Sequence, residues 1–348
     1  KLIGWDAGIS LTGAVDKANL KAVPLFRQAV DILRTCEELR RDNAFDEAVR
    51  AELRRPGKEF SLVRDDGGRW RFRPVVRQSH VASPAEPWSL SWTADNPFVE
   101  QPATLRLEAL MAAGSYDDPN NIVLADLSAP NQLAGPARNA GGVTAALAPT
   151  SDGREQAGVF TAGNSGRVPR NAAWARLDRK FEPCLNLKGR EAIGVRVEGD
   201  GGGQVIAIRL ESPRHISFGA VADRYITVDF TGPRLFTLVE TESARWSDYV
   251  WNDGKGHYNV YRETIDFGAV DSVSVWYNNL PQDRQTRCVI GPVKALPMMA
   301  CTVKNPAVTI NGTTVVFPVE MPSGSYLELN SANDCVLYGP KGEVLARV

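Results

Sequence analysis

Hydrophobic positions along the chain fall into two regimes. Up to about residue 56 they recur at helical spacing, and beyond it they alternate with polar positions as in half-buried strands. Val23, Phe26, Val30 and Leu33 predict a helix over about residues 24–41. Pro24 suits its first turn, where a missing N–H costs nothing. Asn43 is a candidate cap for a second helix, which Pro56 must stop. Ahead of both, Leu2-Ile3-Gly4-Trp5 reads as a buried strand running into a loop. One strand and two helices cannot enclose a core. This segment is therefore expected to end a larger α/β domain or to pack on the domain after it.

From residue 59 the period becomes two. Phe60 and Leu62, the turn Asp65-Asp66-Gly67-Gly68, then Trp70, Phe72, Pro74 and Val76 predict a hairpin. Pro84 and Pro87 among small residues mark a linker. Alternating runs at 104–110, 193–197, 205–210, 225–230, 235–239, 273–277 and 288–293, punctuated by Gly, Pro, Asn and Asp, predict a β-sandwich or jelly roll. Residues 128–172 are rich in Gly, Ala, Pro, Ser and Asn, and Val159-Phe160 and Trp174 mark one or two irregular strands there. Near the C-terminus, Val308/Ile310, Val315/Phe317, a run from Tyr326 and Val336/Tyr338 alternate between turns at Asn311-Gly312 and Lys341-Gly342. The expected organisation is a helical segment (1–58), a hairpin and linker (59–87), a jelly roll (88–300) and a small immunoglobulin-like β-sandwich (301–348).

Charge narrows the partners. The 348 residues carry a formal net charge of -1 and lack the basic excess that nucleic-acid binding requires. No run of 18 apolar residues suggests a membrane-spanning helix. The N-terminus has neither a charged n-region nor a cleavage site, so the chain is expected to begin within a longer protein. Cys36, Cys184, Cys288, Cys301 and Cys335 are dispersed, without the C-x-x-C spacing of zinc or dithiol sites. Cys301 and Cys335 could pair in an oxidising compartment; two buried thiols are the alternative.

Candidate chemistry is sparse. Gly199-Asp200-Gly201-Gly202-Gly203 lacks both phosphate-loop forms and lies between strands, so it reads as a tight turn. His80, His215 and His257 stand apart in loop-like surroundings and read as solvated or hydrogen-bonded side chains. Glu240, Glu242 and Glu263 would matter only if two of them flanked a glycosidic bond. Asp6 comes after the opening strand, the place of a catalytic acid if that strand belonged to a barrel. Asp117-Asp118-Pro119-Asn120 and Asp223 offer oxygen ligands for a possible structural calcium, though without regular spacing; no other cofactor is expected. Trp246, Tyr249, Trp251, Tyr258 and Tyr261 crowd among Ser, Asp, Asn, Gly and His. Sugar rings stack their C–H faces on aromatic planes while polar neighbours take the hydroxyls, so these five are the candidate carbohydrate-binding residues. They could equally close a sandwich edge.

Several segments resemble a known family: Phe181-Glu182-Pro183-Cys184-Leu185-Asn186-Leu187, Gly199-Asp200-Gly201, Asp229-Phe230-Thr231-Gly232, Tyr261-Arg262-Glu263 and Trp276-Tyr277-Asn278-Asn279-Leu280-Pro281. They look like the galactose-binding-like jelly roll of carbohydrate-binding modules, with a looser match back to about residue 92. The resemblance implies a mainly β chain serving as a non-catalytic carbohydrate-binding or accessory region of a bacterial polysaccharide-degrading enzyme, located extracellularly or in the periplasm. Its implied partners are a polysaccharide or oligosaccharide and the catalytic domain of the same parent, with no nucleic acid and no membrane. Residues 2–8 are similar to the last strand of a catalytic barrel. A barrel needs about 250 residues, so catalysis by this chain alone is not expected. Two alternatives stay open: part of a glycoside hydrolase whose (β/α)8 domain is mostly missing here, and a purely structural scaffold.

Overall fold

The computed structural model describes all residues except 1, 10–15, 99–103, 130–132, 134–137, 151–156, 214–219, 243–244, 246–248, 250–263, 283 and 332–333. The chain forms two compact units: Lys1–Ala109 with Thr302–Val348, and Leu110–Cys301. No helix among the described residues is long and apolar enough to cross a membrane.

The first unit opens with helices α1 (Leu2–Trp5), α2 (Lys17–Ala22), α3 (Pro24–Arg41) and α4 (Glu47–Arg54). The α3 helix begins at Pro24 as its sequence predicts, whereas the strand expected at residues 2–5 is a helical turn. Ile3 and Gly4 are both buried there. Gly4 abuts α4, where an added Cβ would lie 3.0 Å from the Leu53 Cβ. The expected cap of α4 also moves. Asp46, not Asn43, accepts the Val49 N–H at 2.9 Å. Asn43 takes a left-handed φ of 48° instead, a conformation its short polar side chain tolerates. Ile3, Phe45 and Leu53 form a small core against the hairpin of β1 (Glu59–Arg64) and β2 (Trp70–Val75), which supplies Phe60, Leu62, Trp70 and Phe72. Strand β3 (Leu105–Glu108) comes next.

The second unit holds β4 (Ala112–Ala113), β5 (Ile122–Ala125), β6 (Arg138–Asn139), β7 (Val143–Pro149), β8 (Gly158–Asn164), β9 (Ala175–Leu185) and β10 (Ala192–Asp200). It continues with β11 (Val205–Ser212), β12 (Ala220–Thr227), β13 (Thr231–Leu238), β14 (Val270–Asn278), β15 (Arg284–Ile290), β16 (Val293–Leu296) and β17 (Met298–Met299). Two antiparallel sheets make a sandwich. In one, β10 pairs with β13 along its whole length and also with β15 and β16. A strand has two edges, so β15 and β16 share the second, broken at Gly291-Pro292. Their outer neighbours β8 and β5 divide the next position in the same way. Seven strands thus fill five positions. The other sheet runs β12-β11-β14-β9-β6.

Between the sheets lie Ile206, Ile208, Leu210, Val273, Val275 and Tyr277 from one side and Val195, Val197, Phe160, Cys288 and Ile290 from the other, all buried. The Phe160 and Tyr277 rings stack at 4.4 Å. Arg224 of β12 also enters this interior and ties the sheets together. Its Nε donates to the Leu238 carbonyl at 3.1 Å and its Nη2 to that of Glu191, and burial pushes its pKa down to about 10.

The C-terminal part of the first unit comprises β18 (Thr302–Lys304), β19 (Ala307–Ile310), β20 (Thr313–Val316), β21 (Glu320–Pro322), β22 (Tyr326–Ser331), β23 (Asp334–Tyr338) and β24 (Val344–Arg347). The β19–β20 turn places Asn311 and Gly312 at φ 49° and 81°, the pair of left-handed residues a two-residue hairpin needs. Strand β3 pairs with β22, joining Leu105 to Leu329, 224 positions apart, and Phe317, Met321, Leu327 and Leu337 form the core. All five cysteines are free thiols; Cys335 lies in this core, and Cys301 belongs to the other unit.

One close approach in the sandwich is testable. At Gly158 of β8 an added Cβ would lie 2.4 Å from the Leu127 carbonyl oxygen, a backbone atom that cannot rotate away. Gly158→Ala is expected to destabilise the protein by about 1–3 kcal/mol, measured as a lowered urea midpoint.

Candidate functional site

The register of the five-stranded sheet decides which side chains share its outer face. Directly opposed residues point the same way. One row across the sheet reads Arg138, Arg176, Trp276, Ala207, Tyr225, and the next reads Asp178, Ser274, Arg209, Asp223. A third reads Lys180, Ser272, Glu211, Val221. The inner face of the same strands is mostly aliphatic, with Tyr277 and Arg224 the exceptions already described. Here a tryptophan, a tyrosine and alternating charges stand in their place.

Much of this face is buried. Trp276 is 0% exposed, Asp223 1% and Arg209 5%. Arg209 grips Asp223 through two bonds, Nε to Oδ1 at 2.7 Å and Nη2 to Oδ2 at 3.2 Å. Burial opposes the guanidinium charge, but the adjacent Asp223 carboxylate outweighs it and raises the Arg209 pKa. The Trp276 indole N–H donates to Ser274 Oγ at 2.8 Å, and the Arg176 guanidinium lies 4.7 Å from its ring centre. Half-buried Trp174 packs on Trp276 at 5.4 Å. Arg176 donates to Asp178 Oδ2 at 3.1 Å, and the Arg138 Nε lies 3.7 Å from the same oxygen. The β9–β6 edge of the face is its open part: Arg176 and Asp178 are 18% exposed and Arg138 62%.

Of the five aromatic residues predicted to bind sugar, Tyr249 lies on this face, and Trp246, Trp251, Tyr258 and Tyr261 lie outside the described residues. Tyr249 is 8% exposed and stacks on Tyr225 at 5.5 Å. Its hydroxyl accepts from Arg245 Nη2 at 3.1 Å. Glu242 accepts the Tyr225 N–H at 3.0 Å and a bond from Arg245, while Glu240 is exposed. Glu263, His215 and His257 lie outside the described residues. His80 accords with its reading as a hydrogen-bonded side chain: its Nε2 lies 2.7 Å from the Ser89 carbonyl, and its ring stacks on Trp92.

Asp6 does not end a strand. It succeeds the α1 turn at φ 50° and pairs with Arg40 at 2.7 Å. The possible calcium ligands are engaged separately, Asp117 by Arg196, Asp118 by its own turn through the Asn120 N–H, and Asp223 by Arg209. Among the described residues no group of three or more His, Cys, Asp or Glu is arranged to hold a metal ion.

The glycine-rich segment is the turn its sequence predicts, with Gly201 at φ 67° and Gly203 at 70°. Asp200 organises it, accepting from the Gly202 N–H at 3.0 Å, Gln204 Nε2 at 2.8 Å and the Arg287 N–H at 2.7 Å. Burial works against its charge, but these bonds prevail and hold its pKa below the ordinary 3.8.

Sequence reasoning missed Trp174, Arg176, Asp178 and Arg209 as members of one face. A signal was present: Arg209 is the one charge in the apolar run 205–210, and Arg176, Asp178 and Lys180 alternate with Ala175 and Leu177.

No protein-family model and no curated protein matches the sequence. The structure is a mainly β chain built on a two-sheet sandwich. Among solved structures it is similar to a family 11 carbohydrate-binding module from Clostridium thermocellum in complex with a β-1,3-1,4-mixed-linked tetrasaccharide. The two are 13% identical, with a TM-score of 0.37 over 51% of this chain and 96% of that one. A carbohydrate-binding module of the β-sandwich superfamily is 9% identical, with a TM-score of 0.33 over 57% of this chain and 75% of its own. An exo-β-agarase is 10% identical, with a TM-score of 0.32 over 50% of this chain and 24% of its own.

The buried charges make two outcomes measurable. Arg209→Met leaves the buried Asp223 carboxylate without its guanidinium and is expected to cost about 3–5 kcal/mol, most of it recovered in the Arg209→Met/Asp223→Leu double variant; denaturant titration of the three proteins checks this. Ionised Asp200 contributes stability above its unfolded pKa, a contribution lost as pH falls through the lower folded value. Asp200→Asn should therefore lower the urea midpoint at neutral pH and converge on the wild type in strong acid.

Proposed function

We propose that this chain is a non-catalytic carbohydrate-binding or accessory region of an extracellular or periplasmic bacterial polysaccharide-degrading enzyme. In this reading its sandwich is a galactose-binding-like jelly roll within residues 88–300, and its partners are a polysaccharide and the catalytic domain of the same parent. The observation that carries the reading is the open edge of the outer face, where half-buried Trp174 lies beside Arg176, Asp178 and Arg138. An aromatic plane suits the C–H face of a sugar ring, and a guanidinium beside a carboxylate supplies both donors and acceptors for its hydroxyls.

The scaffold reading is favoured by a separate observation, the burial of Tyr249 against Tyr225. Affinity gel electrophoresis against a panel of polysaccharides tests the first reading, and retardation by none of them rejects it. Trp174→Ala should weaken retardation roughly tenfold, the loss of about one aromatic contact, and, because Trp174 also packs on Trp276, lower the melting temperature, so retardation is compared well below the melting temperature of both proteins. Alanine substitution of Trp246 and Trp251 separates the two roles for the 246–261 aromatics: lost affinity at unchanged melting temperature marks sugar contact, and lost stability marks a buttress.

A further inference from the structure

One ribbon in the first unit keeps its edges open. Among the described residues β19 and β20 pair only with each other, in an antiparallel hairpin. A lone two-stranded ribbon is marginal in water unless a further strand or a packed face supports it. Little packs on this one. Val308 is half-buried against the core of the unit, but Ile310 is 55% exposed, Val315 41% and Val316 57%, and β20 is exposed along its whole length. With the two-residue turn at one end and the Phe317 N–H on the Pro306 carbonyl at 2.9 Å at the other, the ladder bonds fall at the Ile310–Thr313 and Val308–Val315 pairs. The backbone N–H and C=O groups of Thr314 and Val316 therefore point away from β19, along an edge that no described strand covers.

Elsewhere in this unit the edges are blocked. The first hairpin carries Glu59, Arg71, Arg73 and Pro74. The β18–β21 ribbon carries Lys304 and Glu320, 3.0 Å apart. In the four-stranded sheet β3 carries Arg106 and Glu108, while β24 is bulged against β23 and carries Arg347. Charges, prolines and bulges are the devices that keep an edge from accepting another strand. The β19–β20 ribbon has none of them: no residue between Lys304 and Glu320 is charged, neither strand contains proline, and its register runs without a shift.

We propose that β20 pairs antiparallel with β20 of a second copy of this chain, about a two-fold axis at Val315. That register sets Thr314 of each copy opposite Val316 of the other, so the outward backbone groups of both exchange hydrogen bonds, and two marginal ribbons become one four-stranded sheet. Val308, Val315 and their counterparts then form one apolar row across it. An identical segment suits this edge because it is uncharged: pairing it with itself opposes no like charges, and the two-fold matches every donor to an acceptor. The edge of β20 is the one used, since Val308 holds β19 against the core.

Sedimentation velocity of the whole chain from about 1 to about 300 µM, the range a small interface calls for, provides the test. The expected result is a reversible equilibrium between monomer and dimer. Val316→Lys and Thr314→Lys, at side chains already exposed, should each weaken it at least about tenfold by placing two like charges close to the axis. Leu345→Lys, on the bulged edge of β24, should leave it unchanged. Thermal melting checks that each variant is folded. A monomer at every concentration overturns the inference. So does a dimer that neither β20 lysine weakens, or open-ended aggregation, which a closed two-fold pair does not give. None of these outcomes bears on the sugar-binding reading of the sandwich.

Discussion

The register of β11 against β14 is the constraint that commits every other strand of the sandwich. With Ala207 opposite Trp276 and Ile208 opposite Val275, Ile206, Ile208, Leu210, Val273 and Val275 point between the sheets, and Trp276, Arg209 and Ser274 point outward. A slip of one residue would exchange the faces, burying a guanidinium among aliphatics and exposing isoleucine and valine. Neighbouring strands inherit the choice. Tyr225 and Asp223 on β12, and Arg176 and Asp178 on β9, share the outer face because they are opposed to residues already committed to it.

Both faces of this sheet are substantially buried, and they solve the problem of burial differently. The inner face removes apolar surface from water, while the outer face buries ions that must find partners. Arg209 and Asp223 do so with two short bonds, and Trp276 satisfies its single donor on Ser274. Arg224 on the inner side bonds two carbonyls of the facing sheet, and the depression of its pKa reflects how unfavourable an enclosed cation is without a carboxylate in contact. These polar groups tie the sheet to one geometry. Its open edge at Arg138, Arg176 and Asp178 is then held in place by the same ladder.

Much of the fold is legible along the chain. Pro24 and the 3.6-residue spacing mark α3, and Asp65-Asp66-Gly67-Gly68 marks the first hairpin, because both signals are local and rest on backbone preference. The turn at Gly199–Gly203 is legible for the same reason. Helix α1 is not: Leu2-Ile3-Gly4-Trp5 is too short for a period to distinguish helix from strand, and contact with Leu53 decides it. The run 288–293 looks continuous in sequence, yet it divides at Gly291-Pro292 into β15 and β16.

The site shows the same division. Side-chain type and period-two alternation, which each segment carries alone, suffice to establish a mainly β chain, aromatic and charged residues interleaved with its strands, and the lack of any familiar catalytic motif in the sequence. They do not bring Arg138, Trp174, Arg176, Asp178, Arg209, Asp223 and Trp276 onto one face, nor join β3 to a strand more than two hundred residues away; the folded arrangement does both. Strand pairing is made by backbone groups that every residue possesses, so register across distant segments is fixed by the packing of the whole sandwich rather than by any one stretch of sequence.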